Sequence, residues 1–310
     1  MKHSPTITLI IILTFLTAQL FGLFVIMKDA RIEKKPSGEV EISHPESAVG
    51  PRPEFRDWQT VLFLTIAILI GSIFILILAR FRQPYVWKGF YFMAVWGAIA
   101  VTLGVFIKSD AVLAIAIVFA LIKVLKPNPI IHNLTEIIIY AGVSLIIVPL
   151  LTPLWASVLL VLVSVYDILA VWKSGHMITM AKFQMNTKLF SGLFIPYSNA
   201  QDHAEVRAKA APARTSSVKM AKKKQGGPQS AILGGGDIVY PMIFSGTVME
   251  GLIRSGVPIL NAFLRASIIA AFATVALAFL LIRSEKGKFY PAMPFLSAGC
   301  FAGLVVAWLI

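Results

Sequence analysis

The run Leu233-Gly234-Gly235-Gly236-Asp237-Ile238-Val239-Tyr240-Pro241 decides how the chain is read. It lies near the start of an apolar stretch from Ala231 to Ile253, long enough to cross a bilayer, for which about 20 apolar residues suffice. An aspartate at the centre of such a span costs about 2.5 to 3.5 kcal/mol, and a carboxylate there marks function by default. The three glycines give up side-chain packing and let another backbone approach, while Pro241 frees a carbonyl one turn on, so a kinked or partly unwound span is expected. A glycine run alone also occurs at ordinary helix crossings. The adjacent carboxylate gives this one its weight.

The rest of the chain suits a membrane. Of 310 residues 57% are hydrophobic and only 14% charged, too few charges to coat an ordinary soluble enzyme of this length. Nine spans are expected: Ile7 to Met27, Thr60 to Ala79, Gly89 to Ile107, Ala111 to Leu125, Ile130 to Leu151, Leu154 to Trp172, Ala231 to Ile253, Ile259 to Ile282 and Tyr290 to Ile310. The first is longer than a signal-peptide apolar core and no small-x-small cleavage site follows it, so it is expected to stay as a helix. The fourth reaches only about 22 Å, so Lys123 near its end must snorkel or the helix must be shielded by neighbours. A single cysteine, Cys300, excludes an internal disulfide and a multi-thiolate metal site.

Nine crossings put the termini on opposite sides. Of the 28 basic residues, 19 then fall on the N-terminal side and eight on the other, with Arg265 inside a span. Translocated loops avoid Lys and Arg, so the N-terminus is expected in the cytoplasm and the C-terminus outside. The net charge of +13 thus reports topology, and a nucleic-acid partner is not expected. Two connections are long. The external one, Lys28 to Asp57, is expected to be partly ordered at best. The cytoplasmic one divides the chain into residues 1–172, a largely flexible loop 173–230 and residues 231–310. Within it His176 to Tyr197 is expected to lie along the membrane surface. Ser198 to Ser230, with the Lys222, Lys223, Lys224 run, is expected to be a disordered tether.

Eleven of the 15 acidic residues fall in loops or tails; Glu136, Asp167, Asp237 and Glu250 fall within spans. Asp167 lies five residues, about 7 to 8 Å, from the cytoplasmic end of the sixth span, and Asp237 six residues, about 9 Å, into the seventh. Consecutive antiparallel helices therefore bring two aspartates to one depth, as a shared carboxylate site requires. Glu250 has Arg254 one turn on, the favourable order for a structural ion pair. Glu136 matches the aspartates in depth, but a buried polar contact between helices is the better expectation. His132 and Asn133 look interfacial, and no second histidine nearby suggests a metal. The ninth span opens Tyr290-Pro291-Ala292-Met293-Pro294, whose prolines hold an irregular start at the same level and leave carbonyls without helical partners.

Tyr166-Asp167 in the sixth span, Gly234-Gly235-Gly236-Asp237 in the seventh and Pro291-Ala292-Met293 opening the ninth, in this order, resemble the presenilin and signal peptide peptidase family of intramembrane aspartyl proteases. The resemblance covers the whole chain, and its end at Ile310 inside the ninth span fits a compact, archaeal-type member. It implies an all-α polytopic membrane protein with nine transmembrane helices, a catalytic pair of Asp167 and Asp237, and no cofactor or metal. Tyr166, Gly234, Gly235, Gly236, Pro291, Ala292, Met293 and Pro294 would shape the active site or bind substrate, with Met293 standing where the family usually has Leu. The implied partners are transmembrane-helix substrates in the lipid bilayer; oligomeric state stays open. Gly-Asp-Ile-Val-x-Pro resembles signal peptide peptidases, whereas Pro-Ala-Met-Pro and a cytoplasmic N-terminus look presenilin-like.

Two carboxyls close together in a low-dielectric site do not both ionise readily, so one is expected to keep a proton while the other activates water. Three alternatives stand beside this reading. A secondary transporter or ion channel also uses carboxylates on broken helices, but no inverted repeat is apparent and both aspartates lie off the midplane. A prepilin-type peptidase shares Gly-x-Gly-Asp but not the other two motifs. The third is a catalytically idle scaffold with the same fold.

Overall fold

The computed structural model describes residues 4–35, 40–126, 128–174, 180, 183–187, 189–197, 229–285 and 290–310. Helices dominate: α1 (Pro5–Asp29), α2 (Trp58–Arg80), α3 (Pro84–Gly104), α4 (Ala111–Leu125), α5 (Pro129–Ile147), α6 (Pro153–Ile168), α7 (Gly235–Arg254), α8 (Ile259–Arg283) and α9 (Met293–Leu309). Six of them are long and apolar enough to cross a membrane, namely α1, α2, α3, α5 with the 3₁₀ turn that extends it, α6 with the π-helical turn that continues it to Trp172, and α8. The apolar α4 and α9 are shorter. Most begin with a proline in the first turn, where the missing N–H has no helical partner to lose.

Apolarity and position run in opposite directions. The most apolar stretch, α2, buries only Thr60, Val61 and Leu78 and turns Leu62, Phe63, Ile66, Ile70 and Ile73 outward, the pattern of a helix that faces lipid. The more polar α7 buries every residue from Pro241 to Glu250 and packs against α1, α5, α6, α8 and α9. Its polar groups are sheltered by protein, the only arrangement a bilayer tolerates cheaply. Beside Pro241, which has no N–H for the Asp237 carbonyl, the fully buried Gln19 of α1 donates to the Ile238 carbonyl at 2.8 Å. On the far side α9 lies close on α8. Cβ atoms at Gly299 and Gly303 would stand 2.8 Å from the Phe272 carbonyl oxygen and 2.7 Å from the Ile269 Cα, and Cys300 between them is fully buried. This is the small-xxx-small contact by which membrane helices approach.

Two antiparallel strand pairs correct the all-α expectation. In the first, β1 (Arg31–Lys34) pairs with β2 (Val40–Ser43), so the connection between α1 and α2 carries a strand pair. In the second, β3 (Gly192–Tyr197) pairs with β4 (Gln229–Gly234), with Gly192 opposite Gly234 and Tyr197 opposite Gln229. Residues 192–197 therefore form a strand, not a surface segment, and the seventh span starts as a helix at Gly235, not Ala231. The tether expected over 198–230 lies outside the described residues across 198–228, and Gln229 and Ser230 belong to β4.

The connection that follows α1 is pinned by buried charge. His44, just after β2, has Nδ1 2.9 Å from Asp29 at the end of α1 and Nε2 3.2 Å from Glu250 of α7. Arg52 adds 2.6 Å to Asp29 and donates to the Leu145 carbonyl, and Arg254 lies 3.1 Å from Glu250, as its spacing predicted. Burial alone would lower the imidazole pKa, but the two carboxylates outweigh it and hold His44 above its ordinary range. A raised folded-state pKa stabilises fully below the unfolded value of about 6.5 and is lost as pH rises through the folded value. Melting temperature in detergent is therefore expected to decline from neutral to alkaline pH, and His44→Leu is expected to remove that component. An unchanged alkaline slope in His44→Leu would contradict the clamp.

Candidate active site

Asp167 sits one residue before the point where α6 runs on into a π-helical turn, and the start of α9 supplies its hydrogen-bond donors. The Met293 amide, the first of that helix, donates to Asp167 Oδ2 at 3.0 Å, and the Ala292 amide also donates to this carboxylate. Helix N-termini have unpaired N–H groups and a positive dipole end. Because Pro294 contributes no N–H, those donors are concentrated on Ala292 and Met293. The Pro-Ala-Met-Pro motif thus acts here through amides, where carbonyls had been expected. Met293 does so through its backbone, so its departure from Leu leaves this contact intact. Pro291, Ala292 and Met293 are buried and Pro294 is half-buried.

Asp237 is the third residue of α7, directly after the strand. Its carboxylate accepts from the backbone N–H of Gly234, the residue that ends β4 and caps α7. That is half of a capping box, with Asp in the place of the usual Glu. None of the three glycines needs a left-handed backbone. Two are pressed by neighbours: a Cβ at Gly235 would lie 3.0 Å from Ser191 Oγ and 3.1 Å from the Tyr140 ring, and one at Gly234 3.2 Å from Asp237 Oδ2. Gly236 is exposed and would accept a Cβ at ordinary contact distance.

Asp167 and Asp237 line one cavity of about 190 Å³, together with Tyr166, Gly234, Gly236, Tyr240 and Met293, and with Ile68 and Ser72 from α2. Tyr166 is tied across it by a 2.7 Å hydrogen bond between its hydroxyl and that of Ser72. Ser164 and Ser297 bond at 2.8 Å and hold α6 to α9 one turn from Asp167. Beyond Asp167 the chain widens into a π-helical turn, Leu169–Ser174, a form that recurs at functional sites. Of the expected site residues, Asp167, Asp237, Tyr166, Gly234, Gly236 and Met293 line this cavity, whereas Gly235, Pro291, Ala292 and Pro294 do not.

Glu136 does not reach the cavity. It forms a buried ion pair with Lys123 at 2.8 Å and accepts from the Tyr91 hydroxyl at 3.2 Å. Lys123 therefore does not snorkel; it turns inward, donating also to Thr135 Oγ1 at 2.8 Å. His132 Nε2 lies 2.8 Å from the Gly192 carbonyl, which can only accept, so Nε2 carries the proton and Nδ1 faces the Lys123 ammonium at 3.3 Å. Asn133 receives the Phe194 amide on Oδ1 and donates from Nδ2 to the Phe194 carbonyl, both at 2.9 Å. These contacts with β3 were not expected from sequence, where His132 and Asn133 read only as polar residues at a helix start.

Comparisons with known proteins give the family and the fold. Residues 40–310 match the family model described as signal-peptide peptidase, presenilin aspartyl protease. A solved structure of a presenilin family intramembrane aspartate protease in a C222 space group is similar, with 19% identity, 96% of each chain covered and a TM-score of 0.56. One in a P2 space group is similar at 20% identity, again with 96% of each chain covered, and a TM-score of 0.54. At these identities the likeness is one of fold. No curated protein sequence matches the chain.

Proposed function

Because the chain belongs to the signal-peptide peptidase and presenilin family of aspartyl proteases, we propose that Asp167 and Asp237 act as one dyad that hydrolyses peptide bonds within substrate transmembrane helices. The chain is an aspartic intramembrane protease and a multi-pass integral membrane protein. One observation carries the dyad: two carboxylates from different helices line one small cavity, one fixed by the first amide of α9 and the other by the amide that ends β4. The ionised member takes a proton from water as the water attacks the scissile carbonyl. The protonated member donates to the carbonyl oxygen and stabilises the tetrahedral intermediate.

A substrate helix hides its carbonyls in i to i+4 bonds and must unwind first. The open edge of β4 is a place for the unwound stretch, since β4 pairs only with β3 among the described residues. The Gly235 amide bonds the Ser191 carbonyl, and alternation from that pair sends the backbone groups of Ser230, Ile232 and Gly234 toward the open side. That edge ends at the Gly234 amide held by Asp237, so a strand added along it would run to the dyad.

The excess of basic residues on the N-terminal side supports a cytoplasmic N-terminus and a site near the cytoplasmic face, with α4, α7 and α9 completing nine crossings. Substrates with an external N-terminus, cut in the cytoplasmic half of their span, follow from this. The test is to incubate the lipid-reconstituted protein with a single-span substrate and map the products by mass spectrometry, with and without a non-cleavable analogue of the tetrahedral intermediate. Cleavage in the cytoplasmic half, blocked by the analogue, is expected. Cuts in the outer half would remove the orientation, and cleavage indifferent to the analogue would remove the dyad.

A further inference from the structure

Among the described residues β3 and β4 share no turn that would set their register, as the loop of a short hairpin does. Burial does part of that work. Leu193, Ile195, Ala231 and Leu233 turn to one buried face, which forbids a slip of one residue because every side chain would change sides. A slip of two residues would keep the same face inside, so a further constraint must choose among registers two apart.

The residues of α3 and α5 supply it. The Trp87 indole donates to the Leu189 carbonyl at 3.3 Å, His132 donates to Gly192 at 2.8 Å, and the Tyr91 hydroxyl, whose one proton is shared with Glu136, lies 3.1 Å from the Phe190 carbonyl. Asn133 takes both backbone groups of Phe194. With Leu193 and Ile195 paired toward β4, the groups of Gly192, Phe194 and Pro196 face away from it. His132 and Asn133 occupy the first two, and Pro196 has no N–H to offer. Asn133 thus stands in for one residue of a neighbouring strand.

We infer that Asn133, seconded by His132, is a positioning residue for the proteolytic reaction. It locks β3 to one register and closes the sheet on that side, so that Gly234 and Asp237 are held at one height and an extended peptide adds only along β4. This rests on the dyad proposed above. Asn133 touches neither aspartate and acts through the strand pair.

The test uses the full chain in lipid and one single-span substrate, with products mapped for wild type, Asn133→Ala, Asn133→Asp and Asp237→Asn. Asn133→Ala, which loses both bonds, is expected to cut about tenfold more slowly and at several neighbouring bonds in place of the wild-type set. Asn133→Asp, ionised, accepts from the Phe194 amide but repels its carbonyl; protonated, it can do what Asn does. Its rate relative to wild type is expected to rise, and its cuts to converge on the wild-type bonds, as pH falls through the carboxyl range. A product pattern from Asn133→Ala identical to wild type would overturn the inference. If that variant does not fold, an Asn133→Asp to wild-type ratio flat with pH overturns it alone. Cleavage by Asp237→Asn would instead overturn the dyad, so the two failures are told apart.

Discussion

Asp167→Asn and Asp237→Asn are each expected to slow cleavage of a single-span substrate by about 10²- to 10⁴-fold, the share of rate that a positioned acid or base contributes. The substitutions are nearly isosteric, and each keeps the contact that orders the side chain. An amide oxygen at position 167 can still accept from the Met293 N–H, and one at 237 can still accept from Gly234. What each loses is the ability to exchange a proton with water or with the scissile carbonyl. Melting curves are therefore expected to stay near wild type while initial rates, read from product bands or mass spectra, collapse. Two groups that act as a unit are not additive, so the double variant is expected to be little slower than either single one. A single variant at wild-type rate would show that its carboxyl does not act in the chemistry.

The second large effect concerns stability. Glu136→Ala is expected to cost about 3 to 5 kcal/mol, the usual penalty for removing one partner of a buried ion pair. Lys123 and Glu136 have side chains only 1% exposed, so the abandoned ammonium would keep only the Thr135 hydroxyl and the His132 groups as company. Replacing both partners by apolar residues of similar size is expected to recover most of the loss, because the uncompensated charge goes with them. Thermal unfolding in detergent of Glu136→Ala, Lys123→Met and the pair Lys123→Met with Glu136→Leu measures this coupling. A double variant as unstable as Glu136→Ala alone would show that lost packing, not the orphaned lysine, explains the effect.

What could be read beforehand was whatever depends on apolar length and depth. The fourth span coincides with α4, and the two aspartates meet because each lies near the matching end of neighbouring antiparallel helices. The misplaced start of the seventh span has a physical cause. Ala231 to Leu233 is a short apolar run that suits a buried strand or a helix equally, and its partner lies far back in the chain at Leu193 to Ile195. Periodicity reports nothing about so distant a pairing. Lys123 was left between two outcomes for a similar reason: near a helix end it can snorkel or be shielded by neighbours, and only the packing of α4 on α5 brings Glu136 within reach. Asn133 carried no distinguishing signal, since an asparagine at a helix start is ordinary until a strand backbone is laid against it.

The full burial of Cys300 on α9 also makes the native chain quiet toward thiol-reactive dyes and spin probes. A cysteine introduced at an exposed position then carries its label alone, with no need to rebuild the protein on a thiol-free background. Leu69 on the outward face of α2 is exposed and does not line the dyad cavity, and so offers such an anchor for spectroscopy on a working enzyme.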